Sequence, residues 1–459
     1  MATETSERQS PVNGSTRPRG VNILAPFNYP SGLSESAHSV AHSLAVAGIQ
    51  TLCCDVPVEQ RTEELPRPLH PLRELHDVTL LHVQPNLNFE ACYARAGMIP
   101  RTDVYRAGIW YWELESAPPE WAQYADLIHE VWAPTEFIAR ALERVVPTPI
   151  IPLLPGLKLR SIPSRPRSQL GLPEDRFLFL FVFAMSSIVE RKNPLAVIEA
   201  FARAFRGSER VALAIKVLRG DAHPTAFRQL VRAAKKAGVI IIDQVMSREE
   251  SYALMNACDC YVSLHRAEGL GLTMAEAMLM GKPVIATGYS GNLSFMTPSN
   301  SLLVDYRLVP IRTFTPPYSK GSLWAEPSVE HAARCMQWAY SHRHEARALG
   351  ARAQSELRSL FSPEAAGQRM SDRLQHIHEL IASDRVRRLR PFEADFSGTP
   401  GLHSTNLLTR IRIHAKFHGL AATARRILEE GRRKLTGQAR CTRIDRLVNR
   451  PAMQHTAAQ

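Results

Sequence analysis

Short apolar runs alternate along this chain with longer stretches in which apolar residues return every three to four positions. The runs predict strands over 21–25, 51–56, 78–83, 107–111, 130–132 and 149–153, then over 177–183, 212–217, 239–242, 260–264, 283–286 and 302–304. Between them, patterns of helical period predict helices that include 36–47, 194–205, 225–237, 249–257 and 273–280. Strands that are apolar without alternation are buried on both faces, as in parallel sheets covered by helices. Two such sets predict an α/β protein of two Rossmann-like domains. Pro163, Pro166 and Pro173 interrupt any regular pattern between the sets.

The expected organisation is a polar leader over 1–20, a first Rossmann-like domain over 21–160 and a second over 161–361. A further segment over 362–384 follows, and then a basic tail over 385–459, partly helical or disordered. A length of 459 residues, 45% apolar, supplies two full cores. The longest apolar run, 177–185, is far short of the roughly 20 residues of a spanning helix. The first twenty residues hold no apolar block and do not read as a signal peptide. The 7 scattered cysteines lack the spacing of a zinc site and read as reduced thiols. No metal cluster is apparent. The expected location is the cytoplasm.

Charge changes this picture at one end only. Residues 385–459 hold 16 Lys and Arg against 5 Asp and Glu, leaving 40 against 39 in the preceding 384 residues. Within the tail, apolar positions from Leu408 to Leu428 recur at helical spacing among Arg410, Arg412, Lys416, Arg425 and Arg426. Such a helix lies on an anionic membrane surface, here the inner face of the cytoplasmic membrane, or is simply solvated. Nucleic acid is disfavoured, because no zinc, helix-turn-helix or RNA-binding signature accompanies the charge.

Ligands of open α/β sheets sit beyond the carboxyl ends of strands, so three strand-to-helix loops carry the candidate chemistry. The first, PFNYPSGLSES, places Gly32 before a helix that starts near Ser34: an anion site or a plain turn. The second, AMSSIVERKNP, puts Arg191 and Lys192 just before a helix that Asn193 caps and Pro194 opens. Cations there oppose the helix dipole, so the pair either binds an anion or is a tolerated surface doublet. The third, HRAEGLGLTMAEAM, places Glu268 before a Gly-x-Gly turn. Glu268 is suited to accept hydrogen bonds from sugar hydroxyls, and the N–H groups of Gly269–Leu272 to hold an anion. Thr273 and Glu276 fit a capping box. The loop lacks the third glycine of a dinucleotide fingerprint, and P-loop, zincin and serine-hydrolase motifs are absent.

HRAEGLGLTMAEAMLMGKPVIATGYSGN resembles the E-x7-E segment of retaining glycosyltransferases of family 4 (glycosyl transferases group 1), bacterial type, which have the GT-B fold. VERKNPLAVIEAF resembles the same family's Arg-Lys diphosphate loop, and YRAGIWYWELESAPPEWAQYADLIHEVWAPTEFIARAL its first-domain segment in many bacterial members. The resemblance implies a hexosyltransferase that moves a sugar from a nucleotide-diphosphate sugar to an acceptor, with retained configuration and without a metal or other cofactor. A glycan or lipid-linked cell-surface precursor is the expected acceptor. By the same resemblance the two domains would face a central cleft, the first on the acceptor side and the second on the donor side, with the 362–384 segment a helix that crosses back to the first. Arg191 and Lys192 would likewise bind the donor diphosphate. Glu268 would hold the sugar hydroxyls, aided by Gly269, Leu270, Gly271 and Leu272. Glu276 would bind the ribose, Val245 would lie near the base, and Gly32 would approach the phosphates. Departures are Ser34, where the family usually has a second glycine, Leu270 in place of a phenylalanine, and no match for a first-domain histidine. His129 reads as packing, and so do Trp110, Tyr111 and Trp112, though Trp110 and Glu113 are also placed to line an acceptor site. A GT-B epimerase of sugar nucleotides and a non-catalytic protein localised by its tail are the alternatives.

Overall fold

The computed structural model describes residues 17–28, 31–56, 74–85, 89, 104–159, 162–313, 315–387 and 389. Residues 21–152 contribute one six-stranded parallel sheet: β1 (Val21–Ala25), β2 (Thr51–Asp55), β3 (Val78–Leu81), β4 (Tyr105–Ile109), β5 (Glu130–Ala133) and β6 (Ile150–Pro152). Their spatial order is β2-β1-β3-β4-β5-β6. A second six-stranded parallel sheet comprises β7 (Phe177–Ala184), β8 (Val211–Leu218), β9 (Ile240–Asp243), β10 (Cys260–Ser263), β11 (Val284–Thr287) and β12 (Leu302–Val304), in the order β12-β11-β10-β7-β8-β9. The strand order reverses between β1 and β3 in one sheet and between β7 and β10 in the other. At such a switch point neighbouring loops leave in opposite directions and open a crevice at the strands' carboxyl ends.

Helices cover both sheets. The first half contributes α1 (Gly32–Val46) and α2 (Glu136–Glu143). The second contributes α3 (Val189–Lys192), α4 (Pro194–Phe205), α5 (Pro224–Ala237), α6 (Arg248–Ala257), α7 (Leu272–Leu279), α8 (Val329–Ser341) and α9 (Arg343–Leu360). The last described helix, α10 (Pro363–Ala382), returns to the first half. There Ala366, Met370, Leu374 and Ile377 join the core formed by α1 and the first sheet. Arg387 extends this contact, its guanidinium 2.6 Å from the Ala125 carbonyl oxygen. The basic stretch beyond it, including the amphipathic pattern from Leu408 to Leu428, lies outside the described residues.

Three local expectations are corrected. α1 starts at Gly32, with Ser31 as its side-chain cap, rather than near Ser34. Ser34 instead turns its hydroxyl to the Phe27 carbonyl at 2.8 Å, which ties the helix to the end of β1. α7 starts at Leu272 behind Gly271, and no side chain caps it, so Thr273 and Glu276 form no capping box. Gly271 has φ +90°, a conformation that a side chain would strain, and this turn displaces the expected cap by two residues. Asn193 precedes Pro194 in the left-handed region and makes no side-chain cap bond either.

A hairpin of β13 (Tyr306–Pro310) and β14 (Leu323–Pro327) was not legible in the sequence. Its exposed face and Pro-rich tip (Thr315-Pro316-Pro317-Tyr318) carry no clear period of two. Ile311, Tyr318 and Trp324 nevertheless enter the core of the first half, beside Trp112 and Trp121. Burying a large apolar side chain contributes about 1.5–3 kcal/mol, so the hairpin fastens one half to the other.

Candidate active site

The two loops at the switch point of the second sheet meet. The loop after β7 forms α3, a single turn bracketed by Ile188 at φ 61° and Asn193 at φ 53°. A β-branched residue at positive φ is an outlier, and such strain is held where the surrounding structure over-determines it, commonly at functional sites. The Arg191 carbonyl accepts the Arg266 N–H at 2.7 Å, which pins this turn to the loop after β10. Gly291 makes the next layer possible: a Cβ there would lie 1.8 Å from the Gly269 carbonyl oxygen.

Within this frame Lys192 donates from Nζ to Glu268 Oε1, and Arg191 Nη1 lies 3.1 Å from Glu268 Oε2. Arg191 also donates to the Ala267 carbonyl at 2.9 Å and the Ser187 carbonyl at 3.2 Å. The Glu268 N–H donates to Ser290 Oγ at 2.8 Å. The side chains are 7% (Arg191), 17% (Lys192) and 9% (Glu268) exposed. The doublet is therefore a buried, hydrogen-bonded cluster, not a surface pair.

Burial alone raises a carboxyl pKa, but Lys192 and then Arg191 outweigh it and hold Glu268 down at about 2. Burial is also the largest influence on Lys192, lowering its pKa against the opposing pull of Glu268. Glu268 is thus an anion across the working pH range.

Two helix N-termini face each other nearby. A Cβ on Gly32, the first residue of α1, would stand 3.8 Å from Leu272 Cδ1, on the first residue of α7. Free N–H groups and the positive ends of two helix dipoles favour an anion between them. Gly269 sits just before, its carbonyl accepting from Thr135 Oγ1 of the first half at 3.1 Å. Leu270 is buried in the second core beneath the turn. Val245, which follows β9, is 75% exposed, a large apolar group left uncovered.

Glu276 lies apart from this cluster. Its Oε1 accepts from Tyr252 Oη at 3.2 Å and from Arg248 Nη1 at 3.4 Å. Burial, the largest influence, raises its pKa to about 7 although Arg248 opposes it.

Among the described residues, one acid of the first half reaches the cluster. Glu113 Oε1 is 3.7 Å from Arg191 Nη2, and Glu113 Oε2 accepts from Tyr318 Oη at 3.0 Å. Trp110 and Trp112, just before it, are core residues. His129 packs as well, stacked on Tyr105 at 4.4 Å, and burial drops its pKa to about 3. Tyr318, Arg248, Tyr252 and Ser290 were not singled out from sequence. Arg248 follows Ser247 in a capping box with Glu250, a legible helix start, but nothing local signals the reach to Glu276.

Among the described residues no group of three or more His, Cys, Asp and Glu side chains is placed to hold a metal ion. Among the described cysteines, Cys53, Cys258, Cys260 and Cys335 are free thiols. No described helix is long and apolar enough to cross a membrane.

Residues 165–356, which carry this cluster, match the model of the family described as glycosyl transferases group 1. The second half is thus similar to the glycosyltransferases of that group. Solved structures extend the likeness to the first half. HepE of Anabaena, solved with UDP and glucose, superposes with a TM-score of 0.56 at 16% identity, covering 78% of this chain and 100% of its own. Sucrose-phosphate synthase from Thermosynechococcus elongatus gives 0.58 at 14%, covering 79% and 100%. A glycosyltransferase from Rickettsia africae gives 0.56 at 14%, covering 79% and 99%. The two parallel-sheet domains therefore have the GT-B fold. No curated protein matches the sequence.

Proposed function

We propose that this GT-B glycosyltransferase is a retaining enzyme of the family-4 type that takes a nucleotide-diphosphate sugar as donor. The observation that carries this reading is the buried Lys192–Glu268–Arg191 cluster at the switch point of the glycosyltransferase domain. The donor diphosphate would lie against Arg191, Lys192 and the N–H groups at the start of α7. Glu268 would accept hydrogen bonds from sugar hydroxyls, and Glu276 from the ribose. Val245 would lie under the base, and Gly32 would let α1 approach the phosphates. The structures solved with UDP or UDP-glucose make a uridine nucleotide the first donor to test.

In the transfer, the acceptor hydroxyl oxygen bonds to the anomeric carbon on the face from which the diphosphate departs. The diphosphate leaves with the bonding electron pair, and the hydroxyl proton passes to its oxygen. The charge that develops on the leaving group meets Arg191, Lys192 and oriented N–H groups already in place, so little reorganisation is needed. Contacts between the halves at Thr135–Gly269 and Glu113–Arg191 would exclude water and favour the acceptor over hydrolysis. We take the acceptor to be a glycan or lipid-linked precursor, reached from the cytoplasmic face of the membrane through the basic tail.

The test is turnover of UDP-glucose, UDP-N-acetylglucosamine and GDP-mannose by the full chain, with the anomer of the product assigned by NMR. One donor consumed with retention supports the reading. Inversion removes the retaining assignment, and consumption of none removes the donor assignment.

A further inference from the structure

The start of α6 gives Arg248 no local reason to stand where it does. It is the first residue of α6, whose start is already secured by the Ser247–Glu250 capping box. A cation in the first turn opposes the helix dipole. The side chain is nevertheless three-quarters buried and fully committed. Nη2 lies 2.5 Å from Glu35 Oε1, in the first turn of α1 in the first half. Nη1 donates to Tyr252 Oη at 2.8 Å and to Glu276 Oε1 at 3.4 Å, both in the second half. Tyr252 Oη in turn donates to the same Glu276 oxygen. A planar guanidinium fork thus spans the two halves, and a lysine's single point charge would not span them in the same way.

The consequence concerns Glu276. Both of its side-chain donors converge on Oε1, and among the described residues no protein group engages Oε2. One oxygen is fixed and the other is left for a ligand. The Glu35 end of the fork lies within the first turn of α1, three residues from Gly32.

We propose that Arg248 is a positioning residue that couples nucleotide binding at Glu276 to closure of the first half over the donor. It orients Glu276 with Tyr252, and it holds the start of α1 through Glu35. This rests on the donor reading given above, in which Glu276 receives the ribose.

The test is calorimetric titration of the full chain with UDP and with GDP, together with donor KM and kcat. It compares wild type, Arg248→Ala, Arg248→Lys, Glu35→Gln and the Glu35→Gln/Arg248→Ala double variant. Arg248→Ala should weaken nucleotide binding at least tenfold and raise donor KM in proportion, with a smaller change in kcat, and Arg248→Lys should recover part of the loss. Because Glu35 acts through Arg248, the double variant should be no worse than Arg248→Ala alone. Binding and KM within twofold of wild type in Arg248→Ala, or additive losses in the double variant, would overturn the coupling while leaving the donor site standing. A wild-type chain that binds neither nucleotide overturns both.

Discussion

Arg191 lies 3.1 Å from Glu268, guanidinium to carboxylate, with both side chains more than nine-tenths buried. Lys192 meets the same carboxylate, so the anionic ligand of the two cations is, in this state, part of the protein. In the proposed reading a diphosphate entering here would take over cations that are already desolvated and aimed, and Glu268 would be freed to face the sugar.

The first prediction concerns what removing each member does. Removing one partner of a buried ion cluster leaves charge unpaired and typically costs about 3–5 kcal/mol. Glu268→Ala should therefore lower the melting temperature as well as abolish transfer, whereas Glu268→Gln should lose transfer with a smaller loss of stability. Thermal unfolding beside donor turnover checks this. A Glu268→Ala variant as stable as wild type would mean that the cluster is not formed in solution.

This point also shows how far the sequence reaches. The two alternating strand sets and their order along the chain follow from apolar runs that local physics reads directly, whereas the pairing of the Arg-Lys and Glu-Gly loops rests on the family resemblance. The burial of Glu268 and Lys192 does not, because it depends on Gly291 meeting the Gly269 carbonyl, a contact between distant segments. The capping box at Thr273 failed for a local reason: Gly271 starts the helix in the left-handed region before the box can form. Tyr318 was out of reach because its burial comes from the first half's core, not from its own segment.

Glu113 gives a second prediction. It is the first-half acid seen against Arg191, and its replacement should disturb closure and acceptor placement more than donor binding. Glu113→Gln should lower kcat at least tenfold and leave the affinity for UDP within a few-fold, read by steady-state kinetics and titration. Equal losses in both would place Glu113 in donor binding instead.

The third prediction is a pH dependence. Burial raises the folded-state pKa of Glu276 to about 7, against the influence of Arg248, with Tyr252 and Glu35 also facing it. Glu276 is protonated in the free protein below that pH and ionised above it. An ionised carboxylate accepts ribose hydroxyl hydrogen bonds better, so nucleotide affinity should rise as pH increases from 6 to 8. Glu276→Gln should flatten that rise. The same shift bears on stability. The unfolded carboxyl ionises near pH 4.3, so the native state loses stability as pH rises from there to about 7. Glu276→Gln should remove this part of the pH profile, which chemical denaturation at pH 5 and 7.5 would measure.

A fourth prediction separates the tail from the catalytic body. Arg387 is hydrogen-bonded to the first half, so truncation is best placed after Phe392. The shortened chain should keep donor turnover, and should lose binding to vesicles containing a third anionic lipid, in a salt-dependent way. Sedimentation with such vesicles reads this, and undiminished binding would remove the membrane role of the tail.

The most direct test of the central claim is titration of the full chain and of Lys192→Ala with UDP, followed by GDP. The account predicts saturable binding of one nucleotide by the wild type and a loss of at least a hundredfold in the variant, because the diphosphate loses its ammonium partner in a dry site. Equal affinity in the two proteins would contradict it and place the donor's phosphates elsewhere.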